Sequence, residues 1–195
     1  MAKLYFKYGV MGSSKTAQAL ITKFNYESGN NKVLFLKPEL DDRDGKDIVE
    51  SRIGLKAKAI VIFESDNIYD ALCSMKEKPT VIICDESQFF TEHQIQQLKD
   101  IANDFDIPVI CFGLLTDFST YLFPGSKRLV ELADSIQEIK MVCDCGKKAQ
   151  INARILNGKV VTTGDQILIG GNDTYKAMCY SCWRKALIGR TKVTL

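Results

Sequence analysis

Short apolar runs rich in β-branched and aromatic residues recur through the first 142 residues, and longer polar segments separate them. Several runs show no alternation of apolar and polar residues, which is typical of strands that helices cover on both faces of a parallel sheet. The spacers suit helices, because Gly29 follows segment 15–27 as a stop, and Thr91 and Gln94 have capping-box spacing at the start of segment 91–105. The pattern therefore predicts an α/β fold with a doubly wound, mostly parallel sheet. The predicted strands are 4–8, 33–36, 59–63, 81–84, 107–112 and 136–142.

The loop between the first predicted strand and the first predicted helix reads Gly-Val-Met-Gly-Ser-Ser-Lys-Thr. A strand, a tight loop and a helix N-terminus form the context of a phosphate-binding P-loop, in which backbone N–H groups converge on phosphate oxygens. In this interpretation Lys15 supplies a point charge and the Thr16 hydroxyl ligates Mg²⁺. The alternative is a small-residue turn that binds nothing. The candidate phosphate-binding residues are Gly9, Val10, Met11, Gly12, Ser13, Ser14, Lys15 and Thr16.

One position of this loop departs from the P-loop pattern G-x-x-x-x-G-K-[ST]. Ser14 stands where the pattern has its second glycine. Glycine at that position allows backbone angles that a Cβ disfavours, so Ser14 predicts local strain or an altered loop.

Two carboxylates, Asp85 and Glu86, directly follow the apolar run 81–84. The carboxyl ends of strands form the ligand-binding edge of α/β sheets. One carboxylate there commonly holds a metal ion and the other can polarise a nucleophile, although acidic residues after a strand are also an ordinary surface feature. Together with Lys15 and Thr16 they predict a nucleoside triphosphate and Mg²⁺ as ligands. The sequence has no N-K-x-D, H-R-D or D-F-G segment, which excludes GTPases and protein kinases.

The charge balance and the single histidine narrow the chemistry further. With 26 Lys+Arg against 24 Asp+Glu, net +2, the chain has no excess positive charge to hold a nucleic-acid backbone. His93 is the only histidine, which excludes most Ser-His, Cys-His and histidine-rich metal sites. An odd number of cysteines, no secretory signal and no apolar run of roughly 18 residues predict a cytoplasmic protein.

Four of the seven cysteines form two close pairs, Cys143-x-Cys145 and Cys179-x-x-Cys182. Four thiolates at this spacing can enclose one tetrahedral Zn²⁺, which leaves no open position for water and makes the role structural. Disulfides or unpaired thiols are the alternatives. The other three, which we expect to be buried small hydrophobic side chains, are Cys73, Cys84 and Cys111.

The composition changes at Cys143, which predicts a P-loop nucleotide-binding domain over 1–142 and a zinc-binding subdomain over 143–195. The second region has little apolar content, so we expect it to lack a core of its own and to depend on the metal for stability. Between the cysteine pairs, the turn-rich segment 169–175 forms a loop with a fixed base that could fold over a neighbouring site. A zinc-anchored loop that binds nothing is the alternative.

Five features occur in the order seen in class II, zinc-containing thymidine kinases of the bacterial type. They are the P-loop start, Asp-Glu-Ser-Gln-Phe-Phe at 85–90, Gly-Leu-Leu-Thr-Asp-Phe at 113–118, the two cysteine pairs, and Ile-Gly-Gly-Asn-Asp-Thr-Tyr at 169–175. The chain resembles this family over nearly its whole length. The resemblance implies phosphoryl transfer from ATP to the 5′-hydroxyl of thymidine or deoxyuridine, with Glu86 as the general base and Asp85 holding Mg²⁺ with Thr16. Ser87 and Gln88 complete the implied ATP site.

The resemblance also implies a nucleoside pocket and several further roles. Aromatic faces and a thioether suit the flat apolar slot that a pyrimidine needs, and the main chain of the family's lasso, 168–175, reads the base edge. Asp41 and Arg43 match an element near the metal and phosphates, and Arg154 matches a basic residue near the phosphates. A homotetramer and feedback inhibition by thymidine triphosphate (dTTP) are further implications. The implied nucleoside-binding residues are Met11, Phe89, Leu114, Phe118, Phe123, Leu168, Ile169, Gly170, Gly171, Asn172 and Tyr175.

Two other functions stay open at this point. A nucleotide-binding zinc protein catalytically weakened by Ser14 would act as a sensor or a partner-binding module, although Glu86 and the pocket aromatics favour the kinase. A zinc-ribbon ATPase acting on nucleic acid would need a basic stripe with interleaved aromatics, which a net charge of +2 does not supply.

Overall fold

The computed structural model describes residues 1–41, 45, 47–166 and 174–189 of the chain. Six parallel strands form one sheet with helices on both faces, and a smaller antiparallel sheet follows it in the chain. None of the described helices is long and apolar enough to cross a bilayer. In chain order the elements are β1 (Leu4–Tyr8), α1 (Lys15–Ser28), β2 (Val33–Pro38), β3 (Ile48–Glu50), β4 (Lys56–Lys58), β5 (Ile60–Ile62), α2 (Ile68–Ser74), β6 (Val81–Cys84), a 3-10 helix (Ser87–Phe89), α3 (Glu92–Asp104), β7 (Val109–Gly113), α4 (Pro124–Leu132), β8 (Ser135–Glu138), β9 (Ile151–Leu156), β10 (Lys159–Val161), β11 (Tyr175–Met178) and α5 (Tyr180–Leu187).

The large sheet has the strand order β5-β2-β6-β7-β1-β8, and its neighbouring strands are all parallel. Every residue of β6 is buried, as the apolar run without alternation predicts. Ile83 packs in an apolar cluster with Leu20 of α1, whereas Ile82 packs in a second cluster with Leu98 of α3. Alternate side chains of one strand thus face helices on opposite sides of the sheet, and the predicted α/β architecture is confirmed.

The predicted strands agree with the observed ones to different degrees. The runs 4–8 and 81–84 coincide with β1 and β6 at both ends. The strand β2 differs from its predicted run by two residues at one end, whereas β5 and β7 differ by one or two residues at each end. The largest difference is at β8, which was predicted over 136–142 but ends at Glu138. Its partner strand β1 ends at Tyr8, and the Met141 carbonyl accepts a hydrogen bond from the Ala149 amide instead.

The region after residue 142 has an apolar core, so the expectation that it lacks one is wrong. Its sheet has the order β10-β9-β11, and α5 packs against it. Ile151, Ala153 and Ile155 of β9 pack with Trp183 of α5 in one buried cluster, which also includes Val10. Strand alternation concentrates the apolar side chains on one face of β9, a pattern that average composition does not reveal. The division of the chain at residue 142 stays a prediction.

The three cysteines outside the two pairs differ in burial. Cys84 and Cys111 are buried in the neighbouring strands β6 and β7, as predicted. Cys73 is exposed, and the prediction for it is wrong. It follows the buried Leu72 on α2, and one residue of helix rotates the side chain by about 100°, from the core to solvent.

Candidate functional site

The phosphate loop, residues 9–16, joins β1 to the N-terminus of α1. Gly9 has no room for a side chain, since a Cβ there would lie 2.4 Å from the Ser13 Oγ. The Ser13 amide donates to the Val10 carbonyl at 3.1 Å, and the buried Lys15 ammonium donates to the same carbonyl at 2.9 Å. The loop therefore curls around the Lys15 side chain at a helix N-terminus, which is an arrangement that suits phosphate.

Ser14 lies in the left-handed region of backbone space, with φ 64° and ψ 17°. A residue with a Cβ pays roughly 1–2 kcal/mol for this conformation, which glycine adopts freely. The Ser14 side chain makes no capping bond to α1. Its hydroxyl oxygen accepts a solvent-exposed hydrogen bond from the half-buried Gln18 side chain at 3.2 Å. The strain predicted from the missing glycine is thus located at this residue.

Asp85 and Glu86 lie at the carboxyl end of β6, with exposed fractions of 2% and 9%. The Thr16 hydroxyl at the start of α1 lies beside the Asp85 carboxylate and lowers its pKa. This proximity joins the phosphate loop to the acidic pair, although the two follow strands that β7 separates in the sheet.

The surroundings of Asp85 suit a divalent cation. Burial and the neighbouring Glu86 raise the pKa of Asp85 to about 7, and the Thr16 hydroxyl and the Lys15 charge oppose the rise. Its Oδ1 atom is buried and has no hydrogen-bond partner among the described residues. A buried carboxylate oxygen left unsatisfied beside a hydroxyl fits the oxygen ligands that Mg²⁺ prefers. Thr16 and Asp85 are therefore the residues that could hold it.

Glu86 also has left-handed backbone angles, φ 47° and ψ 38°, and directly precedes the 3-10 helix as its N-cap residue. The Gln88 side-chain amide donates to its Oε2 at 2.5 Å, and the Ser87 hydroxyl donates to the Phe112 carbonyl at 2.8 Å. Non-glycine residues in this conformation persist only where the surroundings impose it, and they are concentrated at functional sites. The Glu86 carboxylate is thereby held in one orientation at the edge of the sheet.

Lys37 is a buried charge at the same edge that no sequence motif indicates. Its side chain, at the end of β2, is fully buried. The ammonium donates to the Ile48 carbonyl at 2.8 Å and lies 3.5 Å from an Asp41 carboxylate oxygen. Lys37 therefore holds Asp41 beside the base of the β3–β4 hairpin. Arg43 lies outside the described residues.

The predicted nucleoside-binding side chains fall into two described groups. Phe89 and Phe123 meet edge to face with ring centroids 5.7 Å apart. Phe118 and Tyr175 both contact Arg154, whose guanidinium lies 3.6 Å from the Phe118 ring centroid. The other predicted members are half-buried (Met11, Leu114) or lie outside the described residues (Leu168, Ile169, Gly170, Gly171, Asn172).

Arg154 contacts the aromatic side chains in this structure, and its implied place near the phosphates stays a prediction. Its guanidinium donates to the Tyr175 hydroxyl at 2.5 Å and 3.0 Å and to the Asp165 carbonyl at 2.8 Å. The register of the small sheet explains this, because Arg154 on β9 pairs directly with Tyr175 on β11. The guanidinium braces the chain on both sides of segment 167–173.

The four paired cysteines converge, with their Sγ atoms all within 4.8 Å of one another. A tetrahedral Zn²⁺ with bonds of about 2.3 Å needs sulfur atoms about 3.8 Å apart. The Sγ atoms of Cys145 and Cys179 lie 3.6 Å apart. All four are free thiols. The cluster is therefore compatible with a structural zinc ion.

The four thiols need a cation to ionise together. The Cys182 amide donates to the Cys179 Sγ and lowers the pKa of Cys179 to about 7. Hydrogen bonds with the Cys145 and Cys179 thiols raise the pKa of Cys182 to about 12. One thiolate thus forms near neutral pH, and further ionisation of the cluster is opposed. A divalent cation bound by the four sulfur atoms would remove this opposition.

Comparison with known proteins identifies close relatives. A family model described as thymidine kinase matches residues 2–183. A thymidine kinase of Streptococcus pyogenes serotype M3 is 46% identical over 180 residues, which cover 92% of this chain and 95% of that protein. One of Listeria innocua is 45% identical over 184 residues, 93% of this chain and 96% of that protein. A solved structure, the Legionella pneumophila ATPase DotB, aligns with a TM-score of 0.37 and 16% identity over 75% of this chain and 43% of that one, too low to support a conclusion.

Proposed function

The chain belongs to the thymidine kinase family, and on that premise we propose that it transfers the γ-phosphoryl group of ATP to the 5′-hydroxyl of thymidine or deoxyuridine. The observation that carries the proposal is the proximity of Thr16 and Lys15 to Asp85, because it puts the phosphate loop and the acidic pair at one site. Phosphoryl transfer depends on positioning and charge neutralisation, and these two elements supply both.

ATP binds with its phosphates on the loop 9–16, where backbone N–H groups and the Lys15 ammonium face the phosphate oxygens. Thr16 and Asp85 hold Mg²⁺, which when bound neutralises charge on the phosphates. Asp41, held by Lys37, acts near the metal and the phosphates, and the same role is proposed for Arg43. Ser87 and Gln88 complete the ATP site. Ser87 donates a hydrogen bond to the Phe112 carbonyl, and Gln88 accepts one from the Leu114 amide.

Glu86 is the general base. Its carboxylate takes the proton of the 5′-hydroxyl as the oxygen bonds to the γ-phosphorus and the bond from that phosphorus to the β–γ bridging oxygen breaks. The orientation of the carboxylate supports this role, because the Gln88 amide holds one oxygen at 2.5 Å. No histidine is needed, since the reaction releases one proton.

The nucleoside lies against the aromatic side chains. Phe89, Phe123, Phe118 and Tyr175 offer the flat faces that a pyrimidine requires, with Met11 and Leu114 beside them. Main-chain groups of the lasso, 168–175, read the base edge, since a wrong base would leave a buried polar group unpaired. The lasso residues in this role are Leu168, Ile169, Gly170, Gly171, Asn172 and Tyr175.

Several broader features belong to the same proposal. The chain divides into a nucleotide-binding domain over 1–142 and a zinc-binding subdomain over 143–195, where a structural zinc ion ties down the base of the lasso. The protein works in the cytoplasm, which the free thiols favour. It assembles as a homotetramer and is inhibited by dTTP, as membership of the family implies.

A second function is a nucleotide-binding zinc protein with weakened catalysis that acts as a sensor or partner-binding module. The left-handed Ser14 in the phosphate loop is the observation that favours it.

The test is an assay of the purified protein with ATP and Mg²⁺ against thymidine, deoxyuridine, deoxycytidine and deoxyguanosine. We expect thymidine or deoxyuridine monophosphate with one ADP per product. Glu86→Gln removes the proton acceptor without changing its size, so turnover falls by about 10²–10⁴-fold while thymidine still binds in a calorimeter. Glu92→Gln makes the same change at an exposed position and leaves turnover unchanged. Nucleotide binding without phosphorylation of any nucleoside would instead support the sensor.

A further inference from the structure

Asn152 on β9 ties two parts of the site together with one side chain. Its Oδ1 accepts a hydrogen bond from the Met11 amide at 2.7 Å, and its Nδ2 donates to the Thr116 carbonyl at 2.9 Å. Met11 belongs to the phosphate loop, and Thr116 follows β7 beside the predicted nucleoside side chains. The side chain of Asn152 is buried, with 3% exposed.

The strand that carries Asn152 has two different faces. Ile151, Ala153 and Ile155 pack into the apolar cluster of the C-terminal region, together with two of the paired cysteines. Asn152 and Arg154 alternate with them and face the opposite way, towards the phosphate loop and Phe118. The polar side chains of β9 therefore contact the site. The apolar face of the same strand packs with the cysteine cluster.

We infer that Asn152 is a positioning residue that fixes the phosphate loop and the nucleoside wall relative to each other. A carboxamide suits this task because it carries a donor and an acceptor on one rigid plane. The amide hydrogen of Met11 is bonded to Asn152. Val10 packs in the apolar cluster of the C-terminal region, so this part of the phosphate loop is anchored to that region. The kinetic consequence of this inference rests on the proposed kinase function.

Removing the carboxamide leaves the Met11 amide and the Thr116 carbonyl without this partner. Both segments can then shift, and the two substrates lose their common alignment. We therefore expect Asn152→Ala to raise the KM of both ATP and thymidine and to lower kcat/KM for each by about tenfold. Gln150→Ala is the matched control, since Gln150 is exposed one position before the strand.

The KM values separate positioning from a purely structural role, because a smaller folded fraction lowers kcat but does not change KM. Emission of Trp183, the single tryptophan, which is buried in the C-terminal cluster, confirms that the variant is folded. Unchanged KM values for both substrates, or a change confined to one of them, would overturn the inference.

Hydrogen exchange of the unaltered protein without nucleotide tests the contact itself, and it does not depend on folding of the variant or on kinase activity. The Met11 amide should exchange on the order of a hundredfold more slowly than an unstructured amide. Exchange at the unprotected rate would overturn the inference even if the protein has thymidine kinase activity. Slow exchange would support the contact between Met11 and Asn152 even if the protein lacks that activity.

Discussion

The Gln88 carboxamide donates a 2.5 Å hydrogen bond to the Glu86 carboxylate, while its oxygen accepts the Leu114 amide hydrogen at 2.9 Å. One side chain thus links the proposed base to the segment that follows β7. Gly113 permits this approach, since a Cβ there would lie 2.7 Å from the Gln88 Oε1.

Replacing Gln88 with methionine keeps the length of the side chain and removes both hydrogen bonds. The bond from Gln88 favours the ionised carboxylate, so its loss moves the acidic limb of the kcat–pH profile to higher pH. We expect kcat at pH 7 to fall by about tenfold with a smaller change in the ATP KM. A profile that keeps its acidic limb in place would remove Gln88 from this role.

Replacing Ser14 with glycine relieves the backbone strain at φ 64°. Glycine should raise the free energy of unfolding by roughly 1 kcal/mol, because the solvent-exposed hydrogen bond from Gln18 that is lost contributes little. We expect a higher midpoint of thermal unfolding and activity that stays or rises. Ser14→Ala is the control, since it loses the same hydroxyl but keeps the strain. Equal midpoints for the two variants would contradict the strain argument.

The sequence suffices for those elements whose signal is local. The run Val81–Cys84 is apolar throughout and is followed by charged residues, so both its ends and the placement of Asp85 could be predicted. The capping box of Thr91 and Gln94 likewise marks the start of α3, and both of its hydrogen bonds are present. The two cysteine pairs converge, as the close spacing within each pair predicts.

Residues whose burial depends on distant partners could not be predicted. Asn152 meets the Met11 amide from 141 positions away, and Arg154 meets Tyr175 only through the register of a sheet that average composition conceals. Lys37 has a charge that periodicity assigns to the surface, yet three oxygen atoms from the following loop and hairpin surround its ammonium. Such contacts arise from tertiary packing, which a local pattern does not encode.

Replacing Asp85 with asparagine should stabilise the protein while lowering its turnover. Burial raises the pKa of Asp85 to about 7, so the folded state holds this proton more tightly than the unfolded chain does. The free energy of unfolding therefore falls as the pH rises from about 4 to about 7 and levels off above that. Asp85→Asn has no titratable group at this position, so its free energy of unfolding does not fall in this way. The difference in free energy of unfolding between the variant and the parent therefore grows from about pH 4 to about pH 7, to no more than about 4 kcal/mol.

Urea unfolding of both proteins at pH 4.5, 6 and 8, without added Mg²⁺ or chelator, measures this difference. Adding Mg²⁺ at pH 8 should narrow it, because the ion binds the parent and stabilises its folded state. An advantage that does not change with pH would contradict the assigned shift.

Removal of zinc should unfold the C-terminal region and leave the parallel sheet in place. Metal analysis should find about one zinc per chain. After removal with a chelator, or in Cys182→Ser, the emission of Trp183 should move to longer wavelength, because its cluster includes two of the cysteines. Circular dichroism should retain most of its helical signal, since α1 and α3 pack on the large sheet. A metal-free protein with unchanged emission would exclude a structural site.

Replacing Arg154 with lysine keeps the charge and loses the planar fork that contacts Tyr175, Asp165 and the Phe118 ring. The guanidinium bonds to residues on both sides of segment 167–173. Its loss should therefore make the proposed nucleoside-binding residues less well ordered, while the phosphate loop is unaffected. We expect the thymidine KM to rise by about tenfold with the ATP KM nearly unchanged. Tyr175→Phe removes one hydrogen-bond partner and keeps both rings, so its effect should be smaller. A larger effect of Tyr175→Phe than of Arg154→Lys would mean that the hydroxyl itself, and not the arginine, organises this side of the site.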